Sequence, residues 1–214
     1  MAKLLIFDWD GTLCDSLSKI VTCVGLASGE QGLSLSSPDE AREVIGLGLT
    51  ESFQTLFPQA THQQVMLMCG SYSSHYIRMD ETPSPLYESV MDTLIFLKNK
   101  DYILTVATGK SRRGLNRTLK ARGMSDFFHG SRCADETAGK PNPLMIDEIL
   151  AEFKVSANDA VMVGDTEYDL GMAVNAGISS IGVSYGAHCS SRFEQYHPLG
   201  CIDKLSEIKN YLNQ

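Results

Sequence analysis

The sequence predicts an α/β fold, a doubly wound parallel sheet core with an inserted α-helical cap domain. Three observations predict it. Short apolar runs alternate with amphipathic stretches of helical period, the pattern of a parallel sheet covered by helices on both faces. Three of the four runs lead into a polar residue of chemical use, namely Asp8, Thr108 and, after Gly164, Asp165. From about Cys14 to about Pro83 the alternation stops, and only helical segments are found.

The first run, Lys3 to Phe7, has the form of a strand buried on both faces. Similar runs follow at Tyr102 to Ala107, Ala160 to Val163 and Ser180 to Val183. Between them, Ser89 to Lys100 places Val90, Met91, Leu94, Ile95 and Leu97 on one face. Ser111 to Arg122 has Ser111 as its expected N-cap and Gly123 as its stop. Pro141 to Phe153 and Thr166 to Ala176 complete the set, the last ending at Gly177.

Within the interrupting stretch, Ser37-Pro38-Asp39-Glu40 reads as a helix start with a capping box between Ser37 and Glu40. That helix stops at Gly46-Leu47-Gly48, Thr50 is expected to cap the next, and His62 to Met79 continues helically. The cluster Val65-Met66-Leu67-Met68 is expected inside the cap. Thr82-Pro83-Ser84-Pro85 is a stiff return linker. The expected division is a core of residues 1–13 and 84–214 and a cap of residues 14–83. A length of 214 residues accommodates both.

Asp8-Trp9-Asp10-Gly11-Thr12 opens the chemistry. Residues 8 and 10 share a face of an extended strand, and Gly11 lets the chain turn so that both carboxylates enter one crevice. Two close carboxylates repel, so a proton or a hard dication such as Mg²⁺ must accompany them. Asp and Gly also terminate strands for local reasons. In Gly164-Asp165-Thr166-Glu167-Tyr168-Asp169, the two acids lie one helical turn apart and can face one place, although Asp165 could equally cap the helix. Several acids gathered at strand ends favour a metal site. Thr108-Gly109-Lys110 brings a hydroxyl and a backbone N–H to the start of a helix, which suits an anionic oxygen and also suits a plain helix start. Lys140 stands between Gly139 and Pro141, where a stiff backbone could aim it into the crevice or leave it solvated.

Composition narrows the classes. With 18 basic and 26 acidic residues, the formal net charge of −8 argues against nucleic acid or an anionic membrane surface as the main partner. A local metal and lysine can still attract an anionic substrate. No apolar window approaches the roughly 20 residues that span a bilayer. Neither a signal peptide nor a Cys-x-x-Cys pair is present, so a cytoplasmic location with reduced thiols is the expectation.

In order and context, these segments resemble the haloacid dehalogenase superfamily of phosphohydrolases. Asp8-x-Asp10-Gly11-Thr12-Leu13, Thr108-Gly109, Lys140-Pro141-x-Pro143 and Gly164-Asp165-x-x-x-Asp169 match its four motifs, and the helical insert resembles a type 1 cap. Leu86-Tyr87-Glu88-Ser89-Val90 and Tyr185-Gly186-Ala187-His188 fit the pattern of the phosphoglycolate phosphatase group. The resemblance implies a Rossmann-like core and an Mg²⁺-dependent phosphatase in which Asp8 becomes an aspartyl phosphate and Asp10 is the general acid and base. It implies Mg²⁺ on Asp8, the Asp10 backbone carbonyl and Asp165, with Asp169 acting through water. Thr108, the Gly109 N–H and Lys140 would hold the phosphoryl oxygens. Asp10 argues for phosphate ester or anhydride chemistry, because relatives that cleave carbon–halogen bonds lack it.

Secondary candidates for substrate contact are Gly11, Thr12, Lys110, Arg42 beside the Gly46 turn, and His188 at the crevice mouth. Trp9 is expected to pack beside the site. The expected partner is a small phosphorylated metabolite, and the expected assembly a monomer or homodimer. A β-phosphoglucomutase-like mutase and an inorganic pyrophosphatase share the motifs. A binding or regulatory protein on the same fold is the alternative outside enzymes.

Overall fold

A computed structural model describes residues 3–212, so the first two and last two residues of the expected core segments lie outside the described residues. Six parallel strands form one sheet in the order β3-β2-β1-β4-β5-β6. They are β1 (Leu4–Phe7), β2 (Ile103–Thr108), β3 (Gly130–Cys133), β4 (Ala160–Gly164), β5 (Ser179–Val183) and β6 (Gly200–Ile202). The chain winds outward from β1 through β2 to β3, then crosses back to β4 and winds the other way. The switch point therefore lies between β1 and β4, where sheets of this kind open a crevice at the carboxyl ends of their strands. Register sharpens this placement. Phe7 is level with both Val106 and Val163, so Asp8, Thr108 and Asp165 emerge close together.

Alternation along the strands builds a core on each face. Leu5, Phe7, Leu104, Val106, Val161 and Val163 face α5 (Val90–Lys98) and α6 (Arg112–Ala121). Leu4, Ile6, Ala160 and Met162 face α7 (Leu144–Phe153) and α8 (Glu167–Asn175), through Met145, Ile149, Met172 and Ala173. A short α9 (Lys209–Leu212) adds Leu212 to the first face. Strands β3 and β6 were not expected. Gly-Ser-Arg-Cys and Gly-Cys-Ile lack the apolar runs of inner strands because each lies at a sheet edge, with only one neighbour and less burial.

Helices α1 (Leu17–Gly29), α2 (Pro38–Arg42), α3 (Leu49–Leu56) and α4 (His62–Met79) are packed on a core of their own. Its centre is Leu17, Ile20, Val24 and Ala27 of α1 against Val65, Met68 and Tyr76 of α4, both sets at helical spacing. The connections on either side of this unit pair with each other. Cys14 bridges Leu86 in antiparallel sense, the Asp15 N–H donates to the Pro85 carbonyl at 2.9 Å, and the Tyr87 N–H donates to Leu13 at 3.1 Å.

Three local expectations differ from the structure. The Ser37 side chain caps nothing, and Glu40 Oε2 accepts instead from the Ser36 N–H at 2.9 Å, so the five-residue α2 has no capping box. The N-cap of α3 is Gly48, which leaves the Gly46 turn in an extended conformation and starts the helix at Leu49; Thr50 is already inside it. Val65 and Met68 are buried, but Met66 and Leu67 lie on the outer face of α4 and are exposed.

Candidate active site

Asp8 leaves β1 with its N–H still bonded to the Val163 carbonyl at 2.9 Å, which extends the sheet one residue past the strand. The chain then turns, and the Trp9 carbonyl accepts from the N–H groups of Leu13 and Cys14. Gly11 makes the turn possible in two ways. Its φ of +87° disfavours other L-residues, and a Cβ there would lie 2.1 Å from Asp165 Oδ2. Trp9 points away from the crevice into the sheet core, edge-on to Phe128.

Lys140 is the electrostatic centre of the site. It arrives from the loop between β3 and α7 and is 1% exposed. Its ammonium donates to Asp8 Oδ1 and to Asp169 Oδ1, both at 2.6 Å. Burial alone would lower its pKa, but Asp169 and Asp8 offset that and hold it above the usual lysine range. Burial pushes Asp8 up to about 7, opposed by Lys140 and reinforced by Asp169. Asp165 is raised well above the carboxylate range by burial, with Asp8 and Asp169 adding to it.

The carboxylates are held by donors that the motifs alone do not reveal. Asp165 accepts from the Thr12 hydroxyl at 2.7 Å and from the Ala187 N–H at 2.8 Å. Thr166, and not Asp165, caps α8; Asp169 closes that capping box by accepting from the Thr166 N–H and hydroxyl. Asp165 is thereby left to face the crevice. The spacing Thr166-x-x-Asp169 was a legible signal for this cap.

Asp8, Asp165 and Asp169 each bring an oxygen to within 4.8 Å of the others. Asp8 Oδ2 is buried without a hydrogen-bond donor. Counting Asp10 as well, four carboxylates face two ammonium groups, Lys140 and Lys110, a formal deficit of two positive charges. An all-oxygen donor set, an orphaned carboxylate oxygen and this charge deficit fit a hard divalent cation.

Asp10 sits beside this cluster with different partners. Lys110 donates to both of its oxygens, at 2.9 and 2.8 Å, and Ser16 donates to Oδ1 at 2.6 Å. Lys110 also lies 3.3 Å from the Tyr76 hydroxyl and 4.6 Å from the centre of its ring, so α4 touches the lysine that follows β2. Thr108 is buried, and its hydroxyl accepts from the Lys110 N–H at 3.2 Å. Gly109 is met by the Gly46 turn. A Cβ on Gly109 would stand 2.5 Å from the Leu47 carbonyl and 2.6 Å from that of Gly46.

A cavity of about 200 Å³ lies between the core and the α1–α4 unit, with Asp8, Asp10, Thr108, Gly109 and Lys110 at its floor. Arg113 and Arg117 of α6, which the motifs do not mark, also line it. Four of the five secondary candidates do not; Gly11 and Thr12 lie in the turn after β1, against Asp165, and the other two stand elsewhere. Arg42 lies beside Asp39 on the outer side of its helix, 4.0 Å from that carboxylate. His188 is buried behind Asp165, with Nδ1 accepting from the Glu167 N–H at 3.3 Å and its ring against Tyr168.

Comparison with known proteins agrees with this geometry. Residues 5–183 match the family described as haloacid dehalogenase-like hydrolase. The chain is 32% identical over 212 residues to "Probable phosphatase IndB" of Dickeya dadantii, covering 97% of this chain and 92% of the relative. It is 26% identical over 218 residues to a phosphoglycolate phosphatase of Vibrio parahaemolyticus, covering 96% and 94% of the two chains. The crystal structure of a predicted phosphoglycolate phosphatase from Haemophilus somnus superposes with a TM-score of 0.86 at 26% identity, covering 98% of this chain and 97% of that one.

Proposed function

The chain belongs to the haloacid dehalogenase-like hydrolases and is a phosphohydrolase, and from that premise we propose that it hydrolyses a small phosphate monoester through an aspartyl phosphate on Asp8, with Mg²⁺ as cofactor. The observation that carries this reading is the pair of acids with opposite surroundings. Asp8 has one oxygen on Lys140 and one without a donor, inside the cation-binding cluster. Asp10 stands outside that cluster, in contact with Lys110 and Ser16, where it can exchange a proton with a leaving group.

In the first step an Asp8 carboxylate oxygen attacks phosphorus in line as the bond to the ester oxygen breaks. Asp10, protonated, gives its proton to the departing oxygen, so the alcohol leaves neutral. In the second step Asp10 takes a proton from water as the water oxygen attacks phosphorus. The bond from phosphorus to Asp8 breaks, inorganic phosphate leaves and Asp8 is restored. The Thr108 hydroxyl, the Gly109 N–H and Lys140 hold the phosphoryl oxygens as charge spreads over them. Asp8, the Asp10 backbone carbonyl and Asp165 would hold Mg²⁺, with Asp169 behind a water. When bound, the cation neutralises charge on the phosphoryl oxygens and on Asp8.

Residues 14–83 act in this reading as the cap that closes over the leaving group. The Gly46 turn against Gly109 and the Tyr76 contact with Lys110 support that assignment. The test is phosphate release from p-nitrophenyl phosphate and a panel of phosphorylated metabolites with Mg²⁺. Turnover that disappears in Asp8→Asn is expected, and turnover retained in that variant contradicts the assignment.

A further inference from the structure

The cavity above Asp8 differs sharply between its floor and its roof. Its floor is the polar crevice, with Asp8, Asp10, Thr108 and Gly109. Its roof comes from the α1–α4 unit and is built from side chains such as Val24, Val44, Ile45, Leu49, Tyr72 and Ile77. Apart from the Gly46 and Leu47 carbonyls against Gly109, only the hydroxyl-bearing side chains Ser52, Ser73 and the two tyrosines break that apolar surface, and among the described residues no charged side chain of this unit lines it. The three cations that do line it all come from the core. Lys110 is engaged by Asp10, Arg117 by Asp80 at 3.1 Å, and Arg113 is exposed on α6 at the rim.

This distribution constrains the leaving group, because a phosphoryl group held over Asp8 directs the rest of its ester into the roof. A carboxylate or second phosphate there would be desolvated with no cation from the roof to receive it. A polyhydroxylated group would lose water and find few partners. A hydrocarbon body would meet aliphatic walls and the face of Tyr72, which is itself stacked at a tilt on Tyr76, 5.8 Å away.

The geometry points to a phosphate monoester of an uncharged, predominantly apolar alcohol as the preferred substrate class, with 2-phosphoglycolate and inorganic pyrophosphate disfavoured. This inference rests on the phosphatase reading above and deepens it.

The test compares unbranched alkyl phosphates from methyl to pentyl, whose leaving groups have nearly equal reactivity, with 2-phosphoglycolate and pyrophosphate. With Mg²⁺ present, kcat/KM is expected to rise about fourfold per added methylene. Pentyl phosphate is expected to exceed 2-phosphoglycolate at least tenfold. In Ile77→Lys, whose site is 42% exposed on α4 and so tolerates the change, that ratio is expected to fall. A flat alkyl series, or 2-phosphoglycolate or pyrophosphate as the better substrate, overturns the apolar assignment while leaving the phosphatase reading intact. No phosphate release from any ester, p-nitrophenyl phosphate included, overturns both.

Discussion

Lys110 grips Asp10 by both carboxylate oxygens, at 2.9 and 2.8 Å, while its own ammonium rests on the ring and hydroxyl of Tyr76. The residue assigned to proton transfer is thus held by a core lysine that also senses the helical unit above it. Lys110 contacts Asp10 and none of Asp8, Asp165 and Asp169, so in the proposed mechanism it positions Asp10. Replacing it with Met should lower kcat about tenfold or more with a smaller change in KM, against the 10²–10⁴-fold contribution typical of a positioned acid–base group. Lys110→Arg, which can still reach the carboxylate, should recover part of the loss. Steady-state kinetics on one ester checks both.

Lys140 is buried between Asp8 and Asp169 at 2.6 Å from each. Lys140→Met leaves two buried carboxylates without their cation. Removing one partner of a buried pair costs about 3–5 kcal/mol, so urea unfolding should show a loss of that order without added metal. Mg²⁺ should restore more stability to this variant than to the parent, because it supplies the missing positive charge.

Thr12 contacts the site only through its hydroxyl, donated to Asp165 at 2.7 Å. Thr12→Val keeps the shape and deletes that donor. Loss of an outer partner of this kind typically weakens metal affinity about 10–100-fold. Calorimetric titration with Mg²⁺ should find a shift in that range with the far-ultraviolet circular dichroism unchanged.

Mg²⁺ binding should depend on pH near neutrality. Burial raises Asp8 to about 7 in the metal-free protein, so below that pH the carboxyl holds a proton, and the proton competes with the cation. Above it the carboxylate is free to bind. Asp165, raised further by burial, adds a second proton to displace, so apparent Mg²⁺ affinity should fall as pH drops through about 7, by up to roughly tenfold per pH unit for each proton displaced, with proton release on binding. Titrations in two buffers of different ionisation enthalpy measure that release directly.

Much of this arrangement was legible in the sequence because inner strands announce themselves. Leu4–Phe7 and Ala160–Gly164 are buried on both faces, so their sequences are continuous apolar runs, and the acids that end them stand out. Edge strands such as Gly130–Cys133 carry no comparable signal. The convergence of Asp8, Asp165 and Asp169 follows from strand ends and a short spacing, which sequence patterns express, whereas Lys140 comes from the loop after β3, whose strand the sequence does not announce. Nor does a sequence pattern express the grip of Lys110 on Asp10, since it depends on how one long side chain crosses to a neighbouring loop. Arg42 shows the same limit from the other side. It is close in sequence to the Gly46 turn, but its helix turns it outward to Asp39. At Ser37 a local competitor, the Ser36 N–H, takes the Glu40 carboxylate from the expected capping box, and α3 starts at Gly48 with no side-chain cap at all.

The central claim is covalent chemistry at Asp8, and the most direct measurement traps the phosphoryl group there. In Asp10→Asn the departing p-nitrophenolate needs no proton, so the first step proceeds, whereas the second lacks its base. Rapid mixing with p-nitrophenyl phosphate and Mg²⁺, acid quenching and peptide mass spectrometry should then find one phosphoryl group on the peptide containing Asp8, fragmenting to that residue. A stoichiometric burst of p-nitrophenol should accompany it. A burst with no phosphoryl group on Asp8, or with the group on another residue, would contradict the account.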